Sequence, residues 1–249
     1  INNLSQRNIK KSINNIANTK NKYLINKFDN QLFANAVSII NVGNIKGALK
    51  YINKTKKANL INGVNKYIYN NAVAMVNAGN IENAMNYINQ TRNQNLINGV
   101  NQYVYNNAVA KANKGNAQGA LADVYWLNDQ TKMNQINNHI YNNAIATVDA
   151  GNIENAINYI NQTGNQNLIN GVNQYVYDNA ISIANSGRFN DSINYISKVN
   201  NPSLVADITN IVKVLKVNGN YRYINKTSKI YGSEVLKFNV FYDNVTNTY

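Results

Sequence analysis

The chain is built around one phrase, Tyr105-Asn106-Asn107-Ala108-Val109, which returns along the sequence at a fixed interval. Each close copy begins 36 residues after the one before it. The four copies begin at Tyr69, Tyr105, Tyr141 and Tyr177. A related phrase begins one step earlier, at Phe33, and glycines at 43, 79, 115, 151 and 187 keep the same step. Self-similarity at this period is the signature of a stacked-repeat architecture.

Each unit contains two runs of apolar residues at helical spacing. The longer run predicts a first helix in the unit that follows Ala58. Its apolar residues are Leu60, Ile61, Val64, Ile68, Ala72 and Met75. Gly79 suits the left-handed residue that ends a helix, and Asn80 is the expected N-cap of the next one. The shorter run predicts that second helix from Ile81, Ala84, Met85 and Ile88.

The two ends of the chain depart from the repeat. Residues 1–30 read as a partial first unit, and the pattern fades after Pro202 into one more helix that caps the stack. The alternation from Val235 to Tyr242 then predicts a strand, either packed on the last helix or leading into a further domain. The expected fold is therefore all-α: a right-handed α-solenoid of about five to six helix-turn-helix repeats over residues 1–216, with a short β-like tail or cap over residues 217–249.

Composition excludes several classes of protein. With 44% hydrophobic and 14% charged residues, the chain can bury a core and is unlike a disordered tail. The absence of cysteine rules out disulfides, thiolate metal sites and a cysteine nucleophile. No run approaches the ~20 apolar residues of a membrane span.

Catalytic signatures are missing as well. The sole histidine, His139, has no carboxylate near it in the sequence, and no phosphate-binding loop or zinc signature occurs. The carboxylates are scattered along the chain, which suits helix caps and solvent faces better than an acid–base pair. We therefore expect a protein that is not an enzyme and that holds no metal and no cofactor.

The location is inferred from resemblance in composition alone. Low charge with abundant Asn, Tyr and Thr resembles exported bacterial proteins, so a secreted or cell-surface location is expected, with the cytoplasm left open. The sequence begins at Ile1 without a methionine, which favours an upstream segment such as a signal peptide.

The unit resembles the tetratricopeptide repeat. The resemblance rests on the stretches at 79–88 and 151–160, which read Gly-Asn-Ile-Glu-Asn-Ala-(Met/Ile)-Asn-Tyr-Ile, and it covers about residues 8 to 200. The matching features are the glycine between the helices and the apolar, alanine and apolar residues two, five and nine positions later. The period is 36 rather than the family's usual 34, and the family's tryptophan and closing proline are missing. A pentatricopeptide or other helical-hairpin repeat stays open.

In tetratricopeptide arrays the first helices line a concave groove in which ligands, usually peptides, bind. The resemblance therefore implies a non-enzymatic protein- or peptide-binding scaffold. By register, the groove positions are Lys66, Gln102, Asn138 and Gln174, then Tyr69, Tyr105, Tyr141 and Tyr177, then Asn70, Asn106, Asn142 and Asp178. Tyrosine offers rigid apolar area with a polar tip, and amides can pair with a peptide backbone or a sugar. The alternative is that these tyrosines are half-buried spacers between units.

Two further columns, each a set of residues that recur every 36 positions, are predicted to have structural roles. A buried amide needs hydrogen-bond partners, so one repeated asparagine column is expected to form a ladder between neighbouring repeats rather than a ligand contact. This structural ladder comprises Asn35, Asn71, Asn107, Asn143 and Asn179. A second column, with Tyr67, Tyr103, His139 and Tyr175, is expected at the surface or in packing between units. Trp126 replaces a polar joint and is expected either to pack between units or to mark a local surface site.

The alternative function rests on charge. Lys and Arg total 24 against 11 Asp and Glu, for a net charge of +13. The cations before residue 67 face only Asp29, and they are Arg7, Lys10, Lys11, Lys20, Lys22, Lys27, Lys46, Lys50, Lys54, Lys56, Lys57 and Lys66. This basic N-terminal third could bind an anionic polymer, such as a cell-wall glycan or a nucleic acid.

Overall fold

A computed structural model describes residues 6–217, 221–230 and 234–243 of the chain, with side chains described from 11 to 216. This part of the chain forms twelve α-helices followed by two strands. The long helices are α2 (Lys22–Asn41), α4 (Ala58–Asn77), α6 (Gln94–Asn113), α8 (Gln130–Asp149) and α10 (Gln166–Asn185). The short helices are α3 (Ile45–Asn53), α5 (Ile81–Asn89), α7 (Ala117–Tyr125), α9 (Ile153–Asn161) and α11 (Phe189–Ser197). Before and after them lie α1 (Gln6–Asn18) and α12 (Pro202–Val217).

One long helix and the short helix after it form a hairpin, and each hairpin occupies one sequence repeat. Every long helix has 20 residues and every short helix has 9, so the repeat is kept in the structure without insertions. By register, α1 is the short helix of an incomplete hairpin and α12 is the long helix of another. The all-α, helical-repeat class predicted from the period is thus confirmed.

Two kinds of left-handed residue separate the helices. Within each hairpin it is a glycine, such as Gly79 with φ of 80°, a conformation that costs glycine little. In the joint between a short helix and the next long helix, the residue is not always glycine. These joint residues are Lys20, Lys56, Arg92, Asn128, Gly164 and Asn200, with φ between 49° and 60°.

The core lies where the two helices of a hairpin meet and where hairpins stack. Alanine faces alanine inside the hairpin: Ala72 of α4 and Ala84 of α5 are both fully buried, which lets the two backbones approach closely. In the last hairpin Ser192 replaces the second alanine and donates its hydroxyl to the backbone oxygen of Ala180 at 2.7 Å. Large buried side chains such as Ile68 and Ile88 fill the space on either side.

The backbone falls into two compact units. Of the described residues, the first comprises 6–110 and 122–133, and the second comprises 111–121 and those from 134 onward. In the second unit, strand β1 (Tyr221–Ile230) pairs antiparallel with β2 (Glu234–Asp243), and β1 lies beside α12 and α10. Strand β2 covers the alternating stretch from Val235 to Tyr242.

Candidate functional site

The long helices carry a set of exposed polar side chains, which we call the polar row. All eight of these side chains are exposed to solvent. They are Lys66, Gln102, Asn70 and Asn106 in the first unit, and Asn138, Gln174, Asn142 and Asp178 in the second. Two pairs are restrained along their helix, because Gln102 Nε2 donates to Asn106 Oδ1 at 2.9 Å and Gln174 Nε2 donates to Asp178 Oδ1 at 2.8 Å. The predicted groove residues of these two columns are therefore available to a partner, and their role in binding stays a prediction.

The predicted groove tyrosines are less available. Tyr69 and Tyr141 are half-buried, and each ring covers a glycine of the next long helix. A Cβ at Gly99 would lie 3.1 Å from Cε2 of Tyr69, and one at Gly171 would lie 3.0 Å from Cε2 of Tyr141. These two rings therefore pack between neighbouring long helices, as the alternative of half-buried spacers predicts. Only part of each ring is exposed.

The other two tyrosines of this column are held by polar partners. Lys132 places its Nζ 4.7 Å from the ring centroid of Tyr105, and the same Nζ donates to Gln102 Oε1 at 3.1 Å. Tyr177 is buried, and its hydroxyl donates to Asp207 Oδ2. In either unit the polar row is therefore more exposed than the tyrosine column beside it.

At three of its five positions, the asparagine column of the predicted ladder makes a different hydrogen bond from the one expected. Nδ2 of these three asparagines donates to a tyrosine hydroxyl of the short helix in the same hairpin, at 3.2 Å in each case. The pairs are Asn35 with Tyr51, Asn71 with Tyr87, and Asn179 with Tyr195. The expectation of a ladder between repeats is corrected here, because the tyrosine sixteen residues later reaches the amide within its own hairpin. Asn143 does bond across hairpins, donating to Asn113 Oδ1 at 3.1 Å, and Asn107 is half-buried in the same column.

The ladder between hairpins is instead made by the column of Tyr67, which we call the tyrosine ladder. Each of its members bonds the last residue of the preceding long helix, 26 residues earlier. The pairs are Tyr67 with Asn41 at 3.0 Å, and Tyr103 with Asn77, His139 with Asn113 and Tyr175 with Asp149, each at 2.7 Å. The signal was present in the sequence, because an Asn or Asp recurs at 41, 77, 113 and 149.

Three phenols near these contacts have raised pKa values. The pKa of Tyr175 is raised first by its hydrogen bond to the Asp149 carboxylate and then by burial. Burial raises the pKa of Tyr87 and of Tyr159, and the hydrogen bonds from Asn71 and Asn143 partly oppose that shift. All three side chains therefore stay protonated near neutral pH and serve as hydrogen-bonding groups rather than bases.

The second unit contains an open cleft of about 620 Å³ that sequence reasoning missed. Its lining is neutral and rich in amides: Ala112, Asn113, Gly115, Asn143, Ala146, Thr147, Asn155, Asn158, Tyr159 and Gln162. Gln162 holds one wall, because its Oε1 accepts from Ala117 N and its Nε2 donates to Gly115 O, both at 3.0 Å. The only available signal was Ala117, which stands where other short helices begin with Ile or Phe.

This cleft can hold a neutral polar group by hydrogen bonds. No carboxylate, imidazole or amine is among the lining residues. His139 bonds the Asn113 amide rather than a carboxylate. Within the described residues, no three or more His, Asp or Glu side chains come close enough to hold a metal ion. None of the helices described is both long enough and apolar enough to cross a membrane.

Comparison of the chain with protein families, with curated proteins and with solved structures found no match.

Proposed function

We propose that this protein is a non-enzymatic scaffold that binds a protein or a peptide through the polar row of its long helices, as the tetratricopeptide repeats that it resembles do. The observation that supports the proposal is the selective exposure of that row. In every hairpin from α4 to α11, the row positions are exposed, while the tyrosines and asparagines in the columns beside them are half-buried or buried.

The chemistry of the row suits a peptide backbone. An amide side chain offers a donor and an acceptor together, which is the pair that a peptide group presents. Neighbouring packed helices lie about 8–10 Å apart. An extended chain advances about 3.3 Å per residue, so about every third residue of a bound peptide would meet the next hairpin. The tyrosine edges beside the row would add apolar contact.

The proposal includes an exported location, on the cell surface or in the medium. It is supported by the low content of charged residues and the abundance of asparagine, tyrosine and threonine. Fractionation of the native cells with an antibody against the chain tests it, and recovery of the chain in the cytosol alone would contradict it.

A random peptide library displayed on phage and panned against the full chain tests the binding function. Peptides selected on the natural chain should bind a variant with Gln102→Ala, Asn106→Ala, Gln174→Ala and Asp178→Ala about tenfold or more weakly, because several hydrogen bonds of about 1 kcal/mol each are lost. The matched control changes Asn83→Ala, Asn86→Ala, Asp191→Ala and Asn194→Ala, four exposed residues of short helices. Equal loss in the control, or undiminished binding to the row variant, would show that the row is not the binding face.

A further inference from the structure

We infer that one edge of the first compact unit is a docking surface for single-stranded nucleic acid, separate from the polar row. This joint edge consists of the joints between a short helix and the next long helix, at residues 18–23, 54–57, 90–93 and 125–129. Helix α2 packs on α4, and the bond from Tyr67 to Asn41 recurs 36 residues later from Tyr103 to Asn77. Because the contact between hairpins repeats, these joints follow one another along one side of the unit. About 10 Å separates one joint from the next if the spacing of packed helices is maintained.

Three of these joints present a cation at the same position. Lys20, Lys56 and Arg92 are exposed and have left-handed backbones, with φ of 51°, 54° and 53°. The same position holds Asn128, Gly164 and Asn200 in the later joints. Gly and Asn adopt this conformation most readily, whereas other L-residues lose about 1 kcal/mol or more there. The first three joints therefore have a positively charged residue at a position where Asn or Gly, found in the later joints, would be more stable.

The backbone at each of these cations is held by the threonine that precedes it. The threonine hydroxyl donates to a backbone oxygen in the last turn of the short helix, at 2.6 Å from Thr19, 2.7 Å from Thr55 and 2.7 Å from Thr91. The threonine Oγ1 in turn accepts the backbone N–H of the residue after the cation. The cation's backbone is thus fixed before any ligand arrives, which lowers the entropy lost on binding.

The first two joints lie in the most positive part of the sequence, and Asp129 places one carboxylate in the fourth joint. Residues 1–66 contain 12 of the 24 cations and 1 of the 11 acids, so the remainder of the chain has 12 cations and 10 acids. The net charge is therefore +11 before residue 67 and +2 after it. The one early carboxylate, Asp29, is paired with Lys57. Such a field attracts a polyanion and speeds its association.

Exposed aromatic rings lie on the same edge. Among residues 11–216 the exposed aromatic side chains are Tyr23, Tyr125 and Trp126, at 71%, 67% and 40% exposure. Tyr23 follows the first joint, and the other two rings meet edge to face at the fourth with centroids 5.5 Å apart. The fold does not require these rings, because Asn59 and Asn95 stand at the position of Tyr23, and Gln90 and Gln162 at that of Trp126.

Cations beside exposed rings favour a single strand over other polyanions. Single-strand binding proteins combine a positive track for the phosphates with aromatic side chains on which the bases stack. A duplex keeps its bases stacked inside, so its phosphates would contact the cations but its bases would not stack on the rings. A sulfated glycan would likewise depend on charge. The joint of Trp126 thus contacts the bases, and the joints of Lys20, Lys56 and Arg92 contact the phosphates.

The phosphate contacts are tested with a labelled single-stranded DNA oligonucleotide, by fluorescence anisotropy on the full chain. The test variant combines Lys20→Asn, Lys56→Asn and Arg92→Asn, which installs the residue that the chain uses at 128 and 200. The charge-matched control combines Lys114→Asn, Lys198→Asn and Lys213→Asn, all exposed in the second unit. At low salt the test variant should bind more than tenfold more weakly, and the slope of log K against log salt should flatten by about 2, the value for three phosphate contacts. Equal losses in the two variants would overturn the assignment to the joint edge.

The base contacts are tested through the only tryptophan of the chain, Trp126. The single strand should quench its fluorescence, whereas heparin at saturating concentration should not. Trp126→Gln and Tyr23→Asn should each weaken binding of the single strand about tenfold, as expected for a lost stacking contact, and leave heparin binding unchanged. Unchanged emission, or heparin or duplex DNA competing as well as the single strand, would overturn the proposal. Circular dichroism of each variant checks that the helices remain.

Discussion

At the scale of single residues, the same asparagine behaves differently in different hairpins. Asn44 caps its short helix, because its Oδ1 accepts the backbone N–H of Gly47 at 2.8 Å. Asn80 occupies the predicted N-cap position, but its side chain makes no capping bond. The third residue of the helix explains the difference, because a Cβ at Gly47 would lie 2.5 Å from Nδ2 of Asn44, and Asn83 has such a Cβ. The same contrast separates Asn116, with Gly119, from Asn152, with Asn155.

A double-mutant cycle tests this dependence. Asn44→Ala should lower the free energy of unfolding by about 1 kcal/mol in the natural chain, the usual loss for an N-cap. The same change in a Gly47→Ala background should cost close to nothing, since the cap is already displaced. Urea unfolding measures both, and Asn80→Ala serves as the matched control with little expected effect. If Asn80→Ala proved as costly as Asn44→Ala, glycine would not be what permits the cap.

At the scale of helices, stacking depends on tyrosine rings that cover glycines. Each ring of this kind comes from one long helix and lies over a glycine of the next, as Tyr141 does over Gly171. The helix containing that glycine gives up intrinsic helix stability, because glycine is about 1 kcal/mol worse than alanine in a helix interior. The arrangement recurs at Gly63 under Phe33 and at Gly99 under Tyr69. Glycine here serves the contact between helices rather than a turn.

The effect of Gly171→Ala should therefore change sign with its neighbour. In the natural chain the new methyl group would lie 3.0 Å from the Tyr141 ring, so we expect a net destabilisation of about 1 kcal/mol despite the gain in helix propensity. In a Tyr141→Ala background the same change should stabilise by up to about 1 kcal/mol. Thermal and urea unfolding of the four proteins measure the cycle. A stabilisation of similar size in both backgrounds would mean that the Tyr141 ring moves aside at little energetic cost.

At the scale of the whole molecule, the repeat should behave as a series of exchangeable parts. Within each compact unit, neighbouring hairpins contact each other through matching positions, as Tyr103 does with Asn77 in the first and Tyr175 with Asp149 in the second. Stability should therefore approximate a sum of hairpin and interface contributions. The uninterrupted 36-residue step of the helices supports this view. A hairpin can then be removed if the register of those on either side is kept.

Deletion of residues 58–93 removes one complete repeat and joins Lys57 to Gln94, the start of α6. We expect this variant to keep its helical signal per residue by far-UV circular dichroism and to unfold at a lower temperature, since one interface is lost. The control deletes residues 58–81, which removes α4 and leaves most of α5 without its long helix. It should lose helical signal as well as stability. Equal damage from both deletions would show that the hairpins are not interchangeable.

The amino-acid sequence alone determined the period, the alternation of long and short helices, the turns at glycine and most of the buried positions. These features depend on residues close together in the chain, where apolar spacing and turn chemistry are sufficient. Tertiary structure decided the partners of the polar side chains. Asn71 bonds Tyr87 sixteen residues away, Tyr103 bonds Asn77 twenty-six away, and Gln162 bonds Gly115 forty-seven away. The polar cleft and the exposure of Trp126 were likewise decided there, because they depend on how side chains of different helices meet in space.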